Sequence, residues 1–357
     1  EKFIETLVKN CPSIHEKYNP TWLWGKSGHV QTLIHGLIGR VHCPLPSGER
    51  RSLPLGDGST LTYDLYEALL PHDDGLDVTL VLSPGIGNSS ESIYIRAFID
   101  NARKHGYRCV VMNHLGALKT VKLTASRIFT YGGTEDFSEM MNQITNDFPG
   151  TNFILVGFSM GANIVTKYLG EKHLKPSRIL GGISICQGYD ALRGSKFLLE
   201  WENLRRVYLY ALTENMKSVI MRNQSMLFSE DVKKKYDLNE RLILSAPSLH
   251  ELDECYTRKV HGYSSTSEFY QKESCVNYMH NINVPIILLN AKDDPLTPQP
   301  LLDIAHNFAD KHDKAVFIEL CHGGHLGFFE GGLLYPNPIT WLDRFVIEMA
   351  NALTKVQ

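Results

Sequence analysis

Residues 152–169 read NFILVGFSMGANIVTKYL, a continuous apolar run, a Gly-x-Ser-x-Gly motif and a second apolar stretch. The run over 152–158 predicts a strand covered on both faces, and 161–169 predicts a helix. Ser159 would then lie on a sharp strand-to-helix turn, where glycine on either side avoids crowding. A serine placed there, near a helix N-terminus, has the position of a nucleophile, although a serine that only caps the helix is the alternative.

The alternation of apolar runs with helical stretches extends along the 357-residue chain. Strands are predicted at 51–55, 60–66, 78–83, 108–113, 152–158, 179–186, 284–290 and 315–320. Helices are predicted at 92–105, 135–148, 161–169, 300–312 and 340–353. This alternation predicts an α/β fold with a mostly parallel, doubly wound sheet.

Two segments depart from the alternation. Residues 1–50 predict a polar, irregular lead-in that packs on a core formed by 51–189 and 283–357. Residues 190–282 contain no convincing strand and predict a helical insertion, which we call the cap, at the sheet edge that carries the ligand crevice. Apolar and aromatic side chains recur in the cap at helical spacing: Phe197, Leu198, Trp201, Leu204, Val207 and Tyr208. They predict an apolar tunnel that ends at Ser159, unless they only pack the cap's own helices.

The composition excludes several classes of protein. Hydrophobic residues make up 43%, which is enough to bury a core and rules out dominant disorder. Lys plus Arg number 36 and Asp plus Glu 39, a balance that argues against nucleic-acid binding. The seven cysteines show no CxxC pair, so the usual zinc and thioredoxin spacings are absent from the sequence. No apolar run reaches the 18 residues of a membrane span.

A serine nucleophile needs a general base, and the base needs a carboxylate that fixes its tautomer. Asp293 and Asp294 follow one predicted strand, and His322 and His325 follow the last one. In α/β folds with a nucleophilic serine on such a turn, the acid and then the histidine follow the serine along the chain. We favour Asp294, which Pro295 holds extended, and His325, whose two preceding glycines let its loop bend back. Asp293 and His322 remain the alternatives.

A tetrahedral oxyanion needs two N–H donors. The N–H of Met160, the residue after the nucleophile, is one. The other is expected from residues 84–88, where Ile86 is favoured and Gly87 is the alternative. No sequence motif calls for a metal or a cofactor.

Two further signals are weak. Asn88 and Asn223 lie in glycosylation sequons, and His72 with Asp77 forms an HxxxxD string like that of some acyltransferases. Matches of both kinds are expected by chance in a chain of this length.

The residues also carry a family resemblance over nearly the whole chain. The chain resembles α/β-hydrolases of the abhydrolase domain-containing protein 2 type, a monoacylglycerol lipase-like group in AB hydrolase family 4. The matching stretches are 24–32, 84–86, 106–109, 113–118, 156–159, 186–189, 261–263, 293–296 and 322–331. The resemblance implies an α/β-hydrolase fold and the triad Ser159, Asp294 and His325.

The resemblance also implies a function. We expect a serine ester hydrolase that cleaves monoacylglycerol-like lipid esters through an acyl-enzyme on Ser159. The family further implies a single-pass anchor upstream of Glu1, a plasma-membrane location and a possible steroid ligand. The alternatives are a lipid acyltransferase with the same triad, and a steroid- or lipid-binding receptor with vestigial activity.

Overall fold

The computed structural model describes residues 2–173 and 175–356, so Glu1, at which the predicted lead-in starts, lies outside the described residues. The strands are β1 (Glu49–Pro54), β2 (Thr60–Tyr66), β3 (Val78–Ser83), β4 (Arg108–Asn113), β5 (Asn152–Phe158), β6 (Ile179–Ile185), β7 (Ile286–Ala291) and β8 (Ala315–Leu320). They form one sheet in the order β1-β2-β4-β3-β5-β6-β7-β8. β2 pairs antiparallel with β1 and β4, and all other pairs are parallel. The predicted α/β fold with a mostly parallel sheet is confirmed.

The central strands are covered on both faces, as their continuous hydrophobicity predicts. All six residues of β3 are buried. Val81 belongs to the hydrophobic cluster on one face of the sheet, whereas Leu80 and Leu82 belong to the cluster on the other. The sheet therefore has two cores, and its functional groups must lie at its edges.

Of the strand limits that differ from the predicted ones, by one or two residues each, two have a clear local reason. β6 ends at Ile185, because the next residue, Cys186, has a φ of 53° that extended backbone does not allow. β7 begins at Ile286 rather than Val284, because Pro285 has no N–H to donate to the sheet.

The lead-in is helical, not irregular as expected. It contains α1 (Lys2–Asn10), α2 (Pro12–His15) and α3 (Gly28–Leu33), and a π-helix continues α3 over Ile34–Ile38. Helices this short are unstable alone and show too few turns for a clear period. Tertiary contacts hold them: Leu7 and Cys11 are buried, and the N–H of Ser13 donates to the Glu348 carboxylate over 2.7 Å.

Three helices follow the first parallel strands. They are α4 (Ile93–Lys104), α5 (Glu135–Asp147) and α6 (Met160–Gly170). Each lies within two residues of its predicted limits. α6 is buried along its whole length, between the sheet and the cap.

Residues 190–282 contain helices and turns but no strand. The helices are α7 (Ala191–Leu198), α8 (Arg205–Arg222), α9 (Gln224–Leu227), α10 (Glu230–Tyr236), α11 (Glu240–Ser245), α12 (Leu249–Leu252), α13 (Arg258–Val260) and α14 (Thr266–Glu273). A π-helix over Asp253–Thr257 joins α12 to α13. Side chains of residues just before α10, α11, α12 and α14 accept a hydrogen bond from the first turn of each helix.

The chain ends with two helices on the core, α15 (Gln299–Ala309) and α16 (Trp341–Thr354). Thr340 and Asp343 form a reciprocal capping box at the start of α16, which fixes where that helix begins. Among the helices of the described residues, none combines the length and the apolar character needed to cross a bilayer.

Candidate active site

Ser159 lies on the strained turn between β5 and α6 that the sequence predicts. Its φ is 54° and its ψ is −116°, a conformation that few non-glycine residues adopt. A Cβ at position 157 would lie 2.4 Å from the Gly161 carbonyl oxygen, and one at 161 would lie 2.0 Å from the Ser83 carbonyl oxygen. Both glycines are therefore required by the closeness of neighbouring backbone. The turn presents the serine hydroxyl at the carboxyl edge of the sheet.

A continuous chain of hydrogen bonds runs from Ser159 to a buried carboxylate. Ser159 Oγ lies 2.8 Å from His325 Nε2, and His325 Nδ1 lies 2.8 Å from Asp294 Oδ2. Asp294 is buried, and its Oδ1 accepts the Leu296 N–H over 2.8 Å. The carboxylate favours a proton on His325 Nδ1, which leaves Nε2 free to accept the serine proton.

The alternative residues Asp293 and His322 form a second pair outside this chain. His322 Nδ1 lies 3.3 Å from Asp293 Oδ2, and Asp293 Oδ1 accepts the Gly324 N–H over 2.9 Å. Burial raises the pKa of Asp293, while the 35% exposed His322 side chain faces partly to solvent. This pair shapes the loop that carries His325 and does not contact Ser159.

The lead-in also holds the His325 loop, a role that no local pattern in the sequence indicates. Thr32 Oγ1 accepts the His325 N–H over 2.9 Å and donates to the Gly28 carbonyl over 2.7 Å. Gln31 Oε1 accepts the Phe329 N–H over 2.8 Å. The one signal in the sequence was the family-like stretch 24–32, since these contacts span about three hundred residues of chain.

The loop after β3 lies against the nucleophile, as predicted for an oxyanion loop. The Gly85 N–H donates to the Tyr94 hydroxyl over 3.0 Å, so it is not available to an oxyanion. The Ile86 carbonyl accepts from Asn88 Nδ2 over 2.9 Å and from Asn215 Nδ2 of the cap over 3.3 Å. Hydrogen bonds to the Ile86 carbonyl oxygen thus help to hold the loop after β3 in place. Ile86, with Met160 on α6, remains our predicted pair of N–H donors.

His114 supports the same loop from behind. It is buried, and its Nε2 lies 2.9 Å from the Pro84 carbonyl oxygen, so the ring must donate from Nε2. Burial lowers the pKa of His114 to about 4, which keeps the ring neutral at physiological pH. The one signal in the sequence for this role is the family-like stretch 113–118, because the role depends on how β4 ends beside β3.

A cavity of about 610 Å³ opens onto Ser159 between the sheet and the cap. Much of its lining is apolar, as the predicted tunnel requires. Of the six cap side chains from which the tunnel was predicted, however, only Leu198 lines it, and Trp201, Leu204 and Val207 are exposed. Apolar lining residues include Leu37, Ile93, Met160, Leu198, Leu209, Leu212, Met216, Leu301 and Leu326. Polar residues of the cap also line it, among them Asp190, His250, Asp253 and Tyr270, and these the sequence analysis did not single out.

The weak sequence signals lie elsewhere or are occupied. His72 packs edge-on against Tyr107, and Asp77 forms an ion pair with Arg108 at 2.7 Å, so the HxxxxD string does not line the cavity. The amides of the sequon residues Asn88 and Asn223 donate to backbone carbonyls inside the fold, Asn223 to Val219 over 2.8 Å. These bonds use the amides that a glycan would need.

All seven cysteines are free thiols. One of them, Cys186, brings its sulfur within 4.8 Å of ligand atoms of Asp294 and His325, the one such triplet among residues 2–173 and 175–356. Burial raises the pKa of the Cys186 thiol well above its usual value, which disfavours the thiolate that a metal would need. Asp294 and His325 are hydrogen-bonded to each other, and His325 is also hydrogen-bonded to Ser159. The arrangement therefore suits proton transfer better than metal binding.

Comparison with known proteins places these features in a family. The family model for the alpha/beta hydrolase fold matches residues 78–332. Abhydrolase domain-containing protein 2 of Drosophila melanogaster is 51% identical over 352 residues, which cover 98% of this chain and 88% of that protein. Monoacylglycerol lipase ABHD2 of Homo sapiens is 46% identical over 350 residues, covering 97% of this chain and 82% of that protein. Phospholipase ABHD3 of Mus musculus is 27% identical over 362 residues, covering 99% of this chain and 83% of that protein.

Proposed function

Because this chain belongs to the α/β-hydrolase family, in the group of abhydrolase domain-containing protein 2, we propose that Ser159, His325 and Asp294 are its catalytic triad. The protein is an ester hydrolase, and we propose monoacylglycerols as its substrate class, since relatives of 46% identity bear the name monoacylglycerol lipase. The observation that supports the triad best is the hydrogen-bonded chain with two links of 2.8 Å.

The first half of the reaction forms an acyl-enzyme. His325 Nε2 accepts the Ser159 proton as Oγ attacks the ester carbonyl carbon, and Asp294 stabilises the imidazolium that results. The carbonyl oxygen becomes an oxyanion, which the N–H groups of Met160 and Ile86 bind. When the tetrahedral intermediate collapses, the C–O bond to the alcohol breaks, and His325 donates its proton to the leaving oxygen.

The second half returns the enzyme to its starting state. His325 accepts a proton from water, whose oxygen attacks the acyl carbon of the ester on Ser159. Collapse releases the fatty acid, and the imidazolium returns the proton to Ser159 Oγ. No group outside the triad, the oxyanion donors and water is needed.

The alternatives differ in what the triad does. An acyltransferase would pass the acyl group to an alcohol in place of water, and the HxxxxD string, which lies outside the cavity, lends that reading no support. A receptor with a vestigial site would not need a serine, a histidine and an aspartate joined by hydrogen bonds as in a catalytic triad. The relatives' names favour hydrolysis over both.

Labelling with a fluorophosphonate probe tests the triad, and release of glycerol from a monoacylglycerol tests the substrate class. We expect wild-type protein to label and to release glycerol, and Ser159→Ala to do neither. Glycerol is released in either case, so a new ester of a low concentration of added alcohol, formed in place of the free fatty acid, would indicate the acyltransferase instead. A wild-type protein that does not label would refute the triad.

We propose further that the enzyme works at a membrane surface. Leu37 and Ile38, on a π-helix that lines the cavity, are 81% and 71% exposed, and Trp201 of the cap is 78% exposed. Such apolar exposure beside a lipid cavity favours contact with a bilayer. Sedimentation with phosphatidylcholine vesicles, wild type against Leu37→Ser with Ile38→Ser, tests this. The anchor upstream of Glu1, the plasma-membrane location and the steroid ligand stay predictions of the family resemblance.

A further inference from the structure

Two acidic residues of the cap line the cavity, Asp190, whose carboxylate accepts the Arg193 N–H at the start of α7, and Asp253. Asp253 lines the cavity together with Tyr270 and His250, and we call these three residues the polar corner. Tyr270 donates its hydroxyl proton to Asp253 Oδ2 over 2.8 Å, and the His250 ring lies beside that of Tyr270, with centroids 6.0 Å apart. A carboxyl group is an unexpected lining for a cavity that has only to hold a fatty chain.

Local structure explains why Asp253 faces inward. It is the first residue of the π-helix Asp253–Thr257, which directly follows α12. The wider π turn changes the direction of the side chains that follow, and such turns are frequent at functional sites. Leu252 and Tyr256, on either side, are 1% and 0% exposed and anchor the turn in the hydrophobic core. Asp253 itself keeps accessible surface because it borders the cavity.

The carboxyl group has no cationic partner among the described residues, since none of the ion pairs formed there includes it. Its partners are two neutral hydroxyl groups, those of Tyr270 and Thr257. Burial raises the pKa of Asp253 to about 7, so the carboxyl group is only partly ionised at neutral pH. A carboxyl group has about four lone-pair sites, so with two hydroxyl donors it can still accept hydrogen bonds from a ligand in the cavity.

The chemistry of the polar corner limits the chemical groups that a ligand can place there. A partly neutral carboxyl group is a poor partner for a permanent cation, whereas hydroxyl groups can donate to it in either state. Among the parts of a monoacylglycerol, only the glyceryl group has free hydroxyls, and its fatty chain fits the apolar lining. The two remaining hydroxyls of the glyceryl group match an acceptor and a hydroxyl side chain lying side by side.

We propose that Asp253 and Tyr270 bind the free hydroxyl groups of the glyceryl moiety and so select a monoacylglycerol over a simple alkyl ester of the same acid. The inference rests on the proposed hydrolysis of esters at Ser159 and names the head-group site of that reaction. Asp253 and Tyr270 thus determine specificity and take no part in bond making or breaking.

The experiment compares two substrates that share one acyl chain, 1-monooleoylglycerol and methyl oleate. Asp253→Leu should lower kcat/KM for the monoacylglycerol about 10- to 100-fold and leave methyl oleate within about twofold, since only the former offers hydroxyls to a buried acceptor. Tyr270→Phe should lower kcat/KM for the monoacylglycerol, relative to that for methyl oleate, by a smaller factor. Glu254→Gln is the matched control, because the neighbouring Glu254 pairs with Arg258 and does not line the cavity.

The outcomes separate this inference from the proposed function. If wild type hydrolyses both esters and Asp253→Leu leaves their ratio unchanged, the head-group site is refuted while the triad stands. An equal fall for both esters means that Asp253 only supports the fold, and a preference for a choline ester that is lost in the variant would also overturn the proposal. Should Asp253→Leu not fold, the isosteric Asp253→Asn decides, with an intermediate fall expected. Wild type that hydrolyses neither ester and does not label contradicts the proposed function itself.

Discussion

The sheet core and the cap border one cavity, but they hold their residues in different ways. In the core, strands with both faces buried end in short turns, and these turns bring Ser159, His325 and Asp294 to hydrogen-bonding distance. In the cap, helices that are mostly of three to eight residues are joined by turns. Of these helices, α7 and α8 contribute four residues each to the lining, α12 and α14 contribute two each, and the others contribute none. The core therefore suits chemistry, which needs fixed geometry, and the cap suits selection. Substitutions in the core should affect every ester alike, whereas substitutions in the cap should change the ratio between esters.

The largest effect is expected from the core nucleophile. Ser159→Ala should lower kcat by about 10⁵- to 10⁶-fold on every ester, because no other group can form the acyl-enzyme. The midpoint temperature of thermal unfolding should stay within a few degrees of that of the wild-type protein. Ser195→Ala is the matched control, since Ser195 lines the same cavity from the cap and its hydroxyl bonds only to the Leu192 carbonyl. Substantial activity in purified Ser159→Ala would contradict the triad.

The two Asp–His pairs sharpen the comparison within the core. Asp294→Asn should lower kcat about 10⁴-fold, because an amide favours the wrong imidazole tautomer, and His325→Ala should be at least as damaging. Asp293→Asn and His322→Ala should cost about tenfold or less, since that pair only shapes the loop. Steady-state kinetics of the four variants give the ranking. A reversed order between the two aspartates, or between the two histidines, would assign the catalytic role to the other residue.

The third prediction concerns the apolar lining that core and cap share. Across p-nitrophenyl esters from acetate to octanoate, kcat/KM should rise, by at most about fourfold for each CH₂ buried at ~0.8 kcal/mol. A flat or falling series would mean that the cap's apolar side chains pack only against one another. Repeating the series with Leu212→Ser, a change in the lining, should flatten its slope without altering the rate for acetate.

The smallest expected effect tests whether the core alone serves catalysis and the cap alone serves selection. Asn215 belongs to the cap, yet its amide donates to the Ile86 carbonyl in the oxyanion loop. Asn215→Ala should lower kcat about 2- to 10-fold for all esters with little change in KM, as the loss of one long hydrogen bond predicts. Glu214→Gln, one residue earlier on α8, is the control. A change in the ester ratio instead would make Asn215 a selecting residue like the rest of the cap.

Much of the core could be predicted because its signals are local. A strand such as β5 is an apolar run bounded by turn residues, and the glycines beside Ser159 mark the turn on their own. The choice of Asp294 and His325 over their neighbours rested on Pro295 and on two glycines, which restrict or free the backbone at those positions. The structure places exactly those two side chains in line with the serine hydroxyl.

The remainder depends on contacts that leave no local pattern. Asp253 faces the cavity because of one π turn, and a change in turn width produces no period that a sequence would show. The role of Thr32 depends on a partner 293 residues away. The helices of the lead-in are too short to be stable without the core, so their polar composition suggested an irregular segment.

The bond from Thr32 to His325 bears on when the enzyme becomes active. During synthesis, Thr32 and Ser159 leave the ribosome well before residue 325 exists, so the nascent chain contains a serine without its base. Closing a contact across 293 residues is a slow, non-local event, and the loop can be fixed only after both ends of the chain have met. We therefore expect newly made protein to gain hydrolytic activity only after the lead-in and the His325 loop have met. Protease cleavage between 39 and 48 that freed the lead-in would abolish this activity while the sheet stayed intact.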